Sequence, residues 1–216
     1  MAILPPKLVS LDVGGTIGST KGKTITAILA TASNLPTSEV RRILRSTLHI
    51  APKVTDVLID TVCRALEVER ACFPMDYVPP PFQLYPWALL ATKSLSKCAP
   101  VVTLSNVSCL DFEIQILQAS LGDYITTYYS SCELGYAKPA PQAFRAVVEQ
   151  HRVSMASLVH IGDSWECDVM GALSAGARAV WISGGHAVPN DELNMYSDRL
   201  IVARDITEAS EYLLGL

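Results

Sequence analysis

The sequence predicts an α/β protein: a doubly wound, mostly parallel sheet with a helical body inserted after its first strand. Three observations carry this reading. Short apolar runs alternate with helix-patterned segments along much of the 216 residues, the signature of βαβ units. After the first run, however, apolar residues recur only at helical spacing as far as about Val68, and nothing alternates with a period of two. Finally, the polar groups that could do chemistry cluster at successive strand ends: Asp12, Ser105-Asn106, Lys138 and Asp163. Open α/β sheets place their ligand crevice at that edge.

In chain order, Leu8, Val9 and Leu11 form a short apolar run that stops at Asp12, with Gly14, Gly15 and Thr16 next. A run of this length bounded by glycine reads as a buried strand. Pro36-Thr37-Ser38-Glu39 reads as a helix start, with Thr37 as N-cap and Glu39 in the first turn. Val40, Ile43, Leu44 and Thr47 share one face, and Val54, Val57, Leu58, Thr61, Val62 and Leu66 repeat the pattern. Pro79-Pro80-Pro81 and Pro86 read as a stiff linker back to the main body. The inserted body then spans residues 18–82, and the α/β core comprises 1–17 and 83–216.

The core resumes with a helix from Trp87 to Lys97 and a strand Val101 to Leu104 ending in Ser105-Asn106. A helix from Leu110 to Ser120 and a strand from Tyr124 to Tyr129 follow. Gly135 to Pro139 form a loop, and Pro141 sits in the first turn of a helix reaching His151, where its missing N–H costs nothing. Leu158 to Ile161 is a strand ending in Gly162-Asp163-Ser164, and a helix holding Asp168 and Ala172 closes at Gly176. Arg178 to Ile182 is the last clear strand, Leu200 to Val202 a weaker one, and Thr207 to Leu214 a terminal helix. Tyr85 and Trp87 read as packing residues.

Composition narrows the function classes. Half of the residues are hydrophobic and the mean hydropathy is +0.28, ample for a large core. With a net charge of −4 and no dense Lys/Arg run, nucleic acid is not an expected partner. No uncharged apolar stretch reaches the roughly 18 residues of a membrane span, and the opening M-A-I-L-P-P-K lacks a signal-peptide pattern. The six cysteines form no C-x-x-C pair and lack a histidine at zinc-ligand spacing. They read as reduced, small buried hydrophobes in a cytoplasmic protein. No pattern specifies an oligomeric state.

The residue types at the strand ends suit phosphoryl chemistry. A phosphate monoester repels an attacking carboxylate unless a cation and hydrogen-bond donors offset its charge. Asp12, Asp163 and Asp168 supply hard oxygen ligands of the kind magnesium takes. Lys138 supplies fixed positive charge, Ser105 a hydroxyl donor, and Gly14 and Gly15 a backbone that a phosphoryl group can approach closely.

This arrangement resembles the haloacid dehalogenase-like hydrolases, mostly magnesium-dependent phosphatases. The matching segments are L-D-V-G-G-T at 11–16, T-L-S-N at 103–106, K-P-A-P-Q-A-F at 138–144 and H-I-G-D-S-W-E-C-D-V at 160–169, with G-A-x-x-A-G at 171–176. The resemblance covers about residues 5–17 and 85–205, and the insertion sits where many members carry a helical cap. It implies that Asp12 is the nucleophile and that Ser105 and Lys138 hold phosphoryl oxygens, with Gly15, Thr16 and Asn106 beside them. Magnesium would be held by Asp12, the Gly14 carbonyl, Asp163 and Asp168, and the substrate would be a small phosphorylated metabolite.

One position departs from the family pattern. The usual first motif is D-x-D-G-T, whose second aspartate is the general acid and base; here it is Gly14. Glycine keeps the backbone carbonyl and loses the proton relay, help worth about 10² to 10⁴ in rate. His49 and His186 are candidate replacements. The same gap admits a non-catalytic binding protein of this fold, or a phosphonate-cleaving member with Lys53 or Lys23 as Schiff base. Haloacid dehalogenases also lack this aspartate, but they do not keep the acidic G-D-x-x-x-x-D arrangement. D-V-G-G-T also resembles the first phosphate loop of actin-like sugar kinases, but the second loop they require is missing and Lys138 and Asp163 would go unexplained.

Overall fold

The computed structural model describes residues 5–111, 114–186, 195–196 and 198–215. Residues 1–4, part of the segment read for a leader, and 112–113, inside the predicted helix Leu110 to Ser120, lie outside them. Among the described residues, no helix is long and apolar enough to cross a membrane.

The strands are β1 (Leu8–Leu11), β2 (Gly18–Thr20), β3 (Phe82–Leu84), β4 (Val101–Ser105), β5 (Ile125–Ser130), β6 (Leu158–Gly162), β7 (Arg178–Ile182) and β8 (Leu200–Ala203). Six of them form one sheet in the order β5-β4-β1-β6-β7-β8, and every neighbouring pair is parallel. From β1 the sheet grows outward through β4 and β5, and the chain then returns to lay β6 on the other side. This reversal beside β1 opens a crevice at the carboxyl edge.

Helices cover both faces of the sheet. Val9, Leu11, Val101, Val159 and Ile161 pack on one face, against the helices Ala88–Leu95 and Ile206–Leu214. Leu8, Val102, Leu104 and Leu158 pack on the other, against Phe144 and Val147 of the helix Pro141–His151. Burial on both faces is why these strands read as unbroken apolar runs. Leu8, Val9 and Leu11 are fully buried, worth about 1.5–3 kcal/mol each.

Residues 25–65 contain the helices Ile25–Ala32, Thr37–Arg45 and Asp56–Ala65, gathered on their own apolar cluster. Val40, Ile43 and Leu44 face inward as the spacing predicts. Pro36, however, occupies the cap position and no side chain caps this helix; Thr37 is already helical, because the Pro36 carbonyl accepts from the Glu39 and Val40 N–H groups. In the third helix the buried face is Ile59, Val62 and Cys63, continued by Leu66. Val57 is 76% exposed, since the inner stripe is turned from the one read off the sequence.

The insertion is also not purely helical. β2 and β3 pair antiparallel, Ser19 opposite Gln83, where a helical body and a proline linker were expected. Three-residue strands are too short to show a period. The helix expected to hold Asp168 is two pieces: a widened turn Trp165–Met170 and a short α-helix Gly171–Ala175. Tyr85 and Trp87 stack on each other at 5.4 Å. Cys63, Cys132 and Cys167 are buried as expected, but Cys98 and Cys109 are only half-buried and Cys72 is exposed; all six are free thiols.

Candidate active site

The site starts from two polar residues inside the sheet. Ser10 of β1 and His160 of β6 are register partners, and because side chains alternate they share the face on which Leu8 and Leu158 lie. Both are fully buried. The Ser10 hydroxyl meets His160 Nδ1 at 2.7 Å and His160 Nε2 meets Asp168 Oδ1 at 3.0 Å. A carboxylate only accepts, so Nε2 carries the proton and Nδ1 accepts from Ser10. Burial pulls the His160 pKa down, more than Asp168 raises it, and the ring is neutral.

Asp168 links this pair to the strand edge. Its Oδ1 also accepts from Lys138 Nζ at 2.6 Å, and its Oδ2 accepts from the Ser164 N–H at 2.9 Å. The loop after β6 is shaped for that bond, because Ser164 caps the widened turn by accepting from the Cys167 N–H. Lys138 Nζ then reaches Asp12 Oδ1 at 2.8 Å. The Lys138 backbone is gripped by the Asn106 amide, which donates to its carbonyl at 2.7 Å and accepts from its N–H at 2.8 Å. The side chain of Asn106 therefore positions Lys138.

The charges on these groups follow from their burial and their neighbours. Burial alone would lower the Lys138 pKa, yet Asp12 and Asp168 hold it well above the usual lysine range. Burial would raise Asp168, but Lys138 and the His160 hydrogen bond hold it well below the usual carboxylate range. Asp12 has a single such partner. Burial, reinforced by Asp168 and Asp163 and opposed by Lys138, pushes it up to about 7.

Asp163 lies at the exposed mouth of the site. Its backbone is fixed by the Trp181 indole, which donates to its carbonyl at 2.9 Å. Gly15 has a φ of +85°, and a Cβ there would fall 2.2 Å from Asp163 Oδ2; only glycine lets the loops after β1 and β6 come this close. Thr16 is buried with its hydroxyl unpaired. Asp12, Asp163 and Asp168 each offer a carboxylate oxygen, all within 4.8 Å of one another. Hard oxygens in a cluster holding more carboxylates than Lys138 can neutralise fit a divalent cation of the magnesium kind.

Beside these groups lies a cavity of about 250 Å³ whose wall includes Gly14, Ser105, Asn106 and His49. A Cβ on Gly14 would meet nothing within 4 Å. His49 is buried, accepts from or donates to Thr26 Oγ1 through Nε2 at 3.2 Å, and burial followed by the Arg45 charge pulls its pKa down to about 4. His186 is exposed, with Nδ1 at 2.7 Å from the Ser183 carbonyl, and does not line the cavity. Lys53 and Lys23 are exposed and do not line it either.

Sequence reading thus brought Asp12, Lys138, Asp163 and Asp168 to one strand edge, and the structure adds Ser10, His160 and Trp181. The available signal for the first two was a polar side chain inside an otherwise apolar run.

A family model of haloacid dehalogenase-like hydrolases matches residues 6–176. The haloacid dehalogenase-like hydrolase domain-containing protein 3 of Mus musculus is 27% identical over 117 residues, 50% of this chain and 47% of that protein. A phosphoserine phosphatase of Thermus thermophilus is 32% identical over 106 residues, 48% of this chain and 42% of that protein. The chain therefore spans less than half the length of either relative. Among solved structures, a 2-haloacid dehalogenase of Pseudomonas syringae superposes with a TM-score of 0.61 at 20% identity, covering 97% of this chain and 99% of that one; this likeness speaks to the fold alone. The match over most of the chain, together with the strand-end carboxylates and their buried lysine, makes this protein a member of the haloacid dehalogenase-like hydrolases.

Proposed function

We propose that the protein is a magnesium-dependent phosphatase for a small phosphorylated metabolite, working through an aspartyl-phosphate on Asp12. The observation that carries this reading is the Asp12–Lys138–Asp168 ion cluster at the carboxyl edge of β1 and β6, with Asp163 completing the acidic group. Similarity to a phosphoserine phosphatase supports the phosphoryl chemistry.

Asp12 attacks phosphorus, and Lys138 orients its carboxylate and offsets charge on the phosphoryl group. Ser105, at the end of β4, donates to a phosphoryl oxygen, and Gly15, Thr16 and Asn106 shape the cradle around it. Asp168 is held by Ser164, His160 and Lys138 and keeps a lone pair on Oδ2. With Asp12, Asp163 and the Gly14 carbonyl it would hold magnesium. The metal would supply charge neutralisation at the phosphoryl oxygens. Residues 18–82 act as a cap that excludes water and selects the substrate. Contacts that join them to the core include Arg45 with Glu166 at 2.5 Å, the Ser131 hydroxyl donating to the His49 carbonyl at 2.6 Å, and Tyr77 with Asp111.

The test is phosphate release over a panel of phosphorylated metabolites, with magnesium and with chelator, against Asp12→Asn as the blank. Magnesium-dependent release that falls at least about a thousandfold in Asp12→Asn is expected. Equal release from both proteins would remove Asp12 from the reaction. Gly14 favours a second reading, a non-catalytic protein that binds a phosphorylated ligand or partner. That reading predicts phosphate binding without release.

A further inference from the structure

Two features beside Asp12 constrain the group that leaves phosphorus. The first is the missing acid. Gly14 stands where a proton donor is expected, and the remaining titratable groups on the cavity wall are poorly placed to replace it. Both oxygens of Asp111 are engaged, one by Tyr77 and the other by the Ser108 hydroxyl at 2.8 Å. Tyr128 donates to the Leu117 carbonyl, Tyr129 packs edge-on against His151 with its hydroxyl buried and unpaired, and burial pushes both phenols up, which makes each a weaker acid. His49 is neutral, its pKa drawn down to about 4 by burial.

The second feature is the chemistry of the cavity. Val13, Phe82, Ile114, Leu117 and Tyr128 supply apolar wall, and among the described residues lining it there is no lysine or arginine. A carboxylate- or phosphate-bearing leaving group would lose its hydration there with no cation to replace it, while Thr20, Thr24, Thr26 and Thr103 place only neutral hydroxyl side chains on the same wall. At about 250 Å³ the space also falls below the roughly 300–1,000 Å³ of pockets for drug-sized ligands. It suits a group the size of a substituted aromatic ring.

Resting on the phosphatase reading above, we infer that the substrates are phosphate monoesters of phenols or similarly acidic, apolar hydroxyl compounds. Such a leaving group departs without a proton. An Asp12 carboxylate oxygen forms a bond to phosphorus while the phosphorus–oxygen ester bond breaks. The electron pair leaves on the aryl oxygen as phenolate, which is stable near neutrality relative to an alkoxide because a phenol ionises near pH 10, and solvent protonates it later. Water then attacks the phosphorus of the acyl phosphate, loses its proton to solvent, and releases the Asp12 carboxylate and inorganic phosphate. An alkyl ester needs the acid that Gly14 lacks, a deficit of about 10² to 10⁴ in rate.

The experiment compares kcat/KM, in magnesium, for phenyl phosphates of graded leaving-group acidity, for O-phosphoserine and glucose 6-phosphate, and for acetyl phosphate, whose small acidic leaving group needs neither a donor nor the cavity. Phenyl esters are expected to exceed the alkyl esters by at least about a hundredfold, with a steep dependence on leaving-group acidity. Gly14→Asp should flatten that dependence and raise the alkyl esters about tenfold or more. A second readout needs no turnover: phenol binding to metal-free Asp12→Asn, followed by ligand-observed NMR, should occur where serine and glucose show none. Alkyl esters preferred over phenyl esters, a rate indifferent to leaving-group acidity, or absence of phenol binding would overturn this inference while leaving the phosphatase reading intact. No release from any ester, acetyl phosphate included, would overturn both.

Discussion

Asp12 and Gly14 are two residues apart, yet they border regions built on opposite principles. On the Asp12 side a chain of buried polar groups is tied link to link, from Ser10 through His160, Asp168 and Lys138 to Asp12. On the Gly14 side an apolar cavity opens, with space where a side chain would stand. The first region is over-determined, because removing one member strands a charge or donor away from water. The second tolerates change at Gly14, because a Cβ there would meet nothing within 4 Å. In the proposed reaction the phosphoryl end is therefore rigid and the leaving-group end adaptable, a division that separates reaction type from substrate choice.

The largest effect should come from breaking the ion cluster. Lys138→Met leaves two buried carboxylates without their ammonium and should cost about 3–5 kcal/mol in urea denaturation, whereas Gly14→Asp should change stability by less than about 0.5 kcal/mol. Similar costs for the two would erase the contrast.

A smaller effect concerns pH. Folded, metal-free Asp12 keeps its proton up to about pH 7, whereas an unfolded aspartate ionises near 4. The folded state binds more protons between those values, so stability falls as pH rises through that window and levels off above about 7. Asp168, held well below the usual range, stays ionised throughout. Between about pH 5 and 8 the loss should be on the order of 2 kcal/mol, measured by chemical denaturation in chelator, and Asp12→Asn should abolish the slope. A slope retained in that variant would assign the titration to another group. The smallest effect belongs to the rim: Arg45→Ala, which breaks the ion pair with the exposed Glu166, should cost less than about 1 kcal/mol.

How much was legible follows the same division. Asp12 and Asp163 could be found because each interrupts an apolar run at its end, where a short sequence window contains both strand and loop. Lys138 could be found from its position between a loop and a proline-led helix. Ser10 and His160 could not be paired, since their contact depends on β1 and β6 being neighbours in register, although 150 residues separate them. The same reason hid the Asn106 grip on the Lys138 backbone, 32 residues away. The β2–β3 pair escaped because three residues show no period, and the Pro36 cap because a proline and a threonine side by side both suit a helix start. The cavity belongs to no single segment; residues from both sides of the β2–β3 pair and from β4 and β5 line it.

The open space at Gly14 has a consequence for how the chain can change over time. Two of the four glycine codons become aspartate codons by a change of the middle base, and nothing near Gly14 would obstruct the new side chain. Its backbone also needs no φ that an L-residue would resist. From either of those codons a general acid is one point mutation away, on a route that crosses no folding barrier. Broad hydrolysis of alkyl esters is a neighbour in sequence space, and the narrower chemistry proposed here is a state the lineage can leave by one amino-acid replacement.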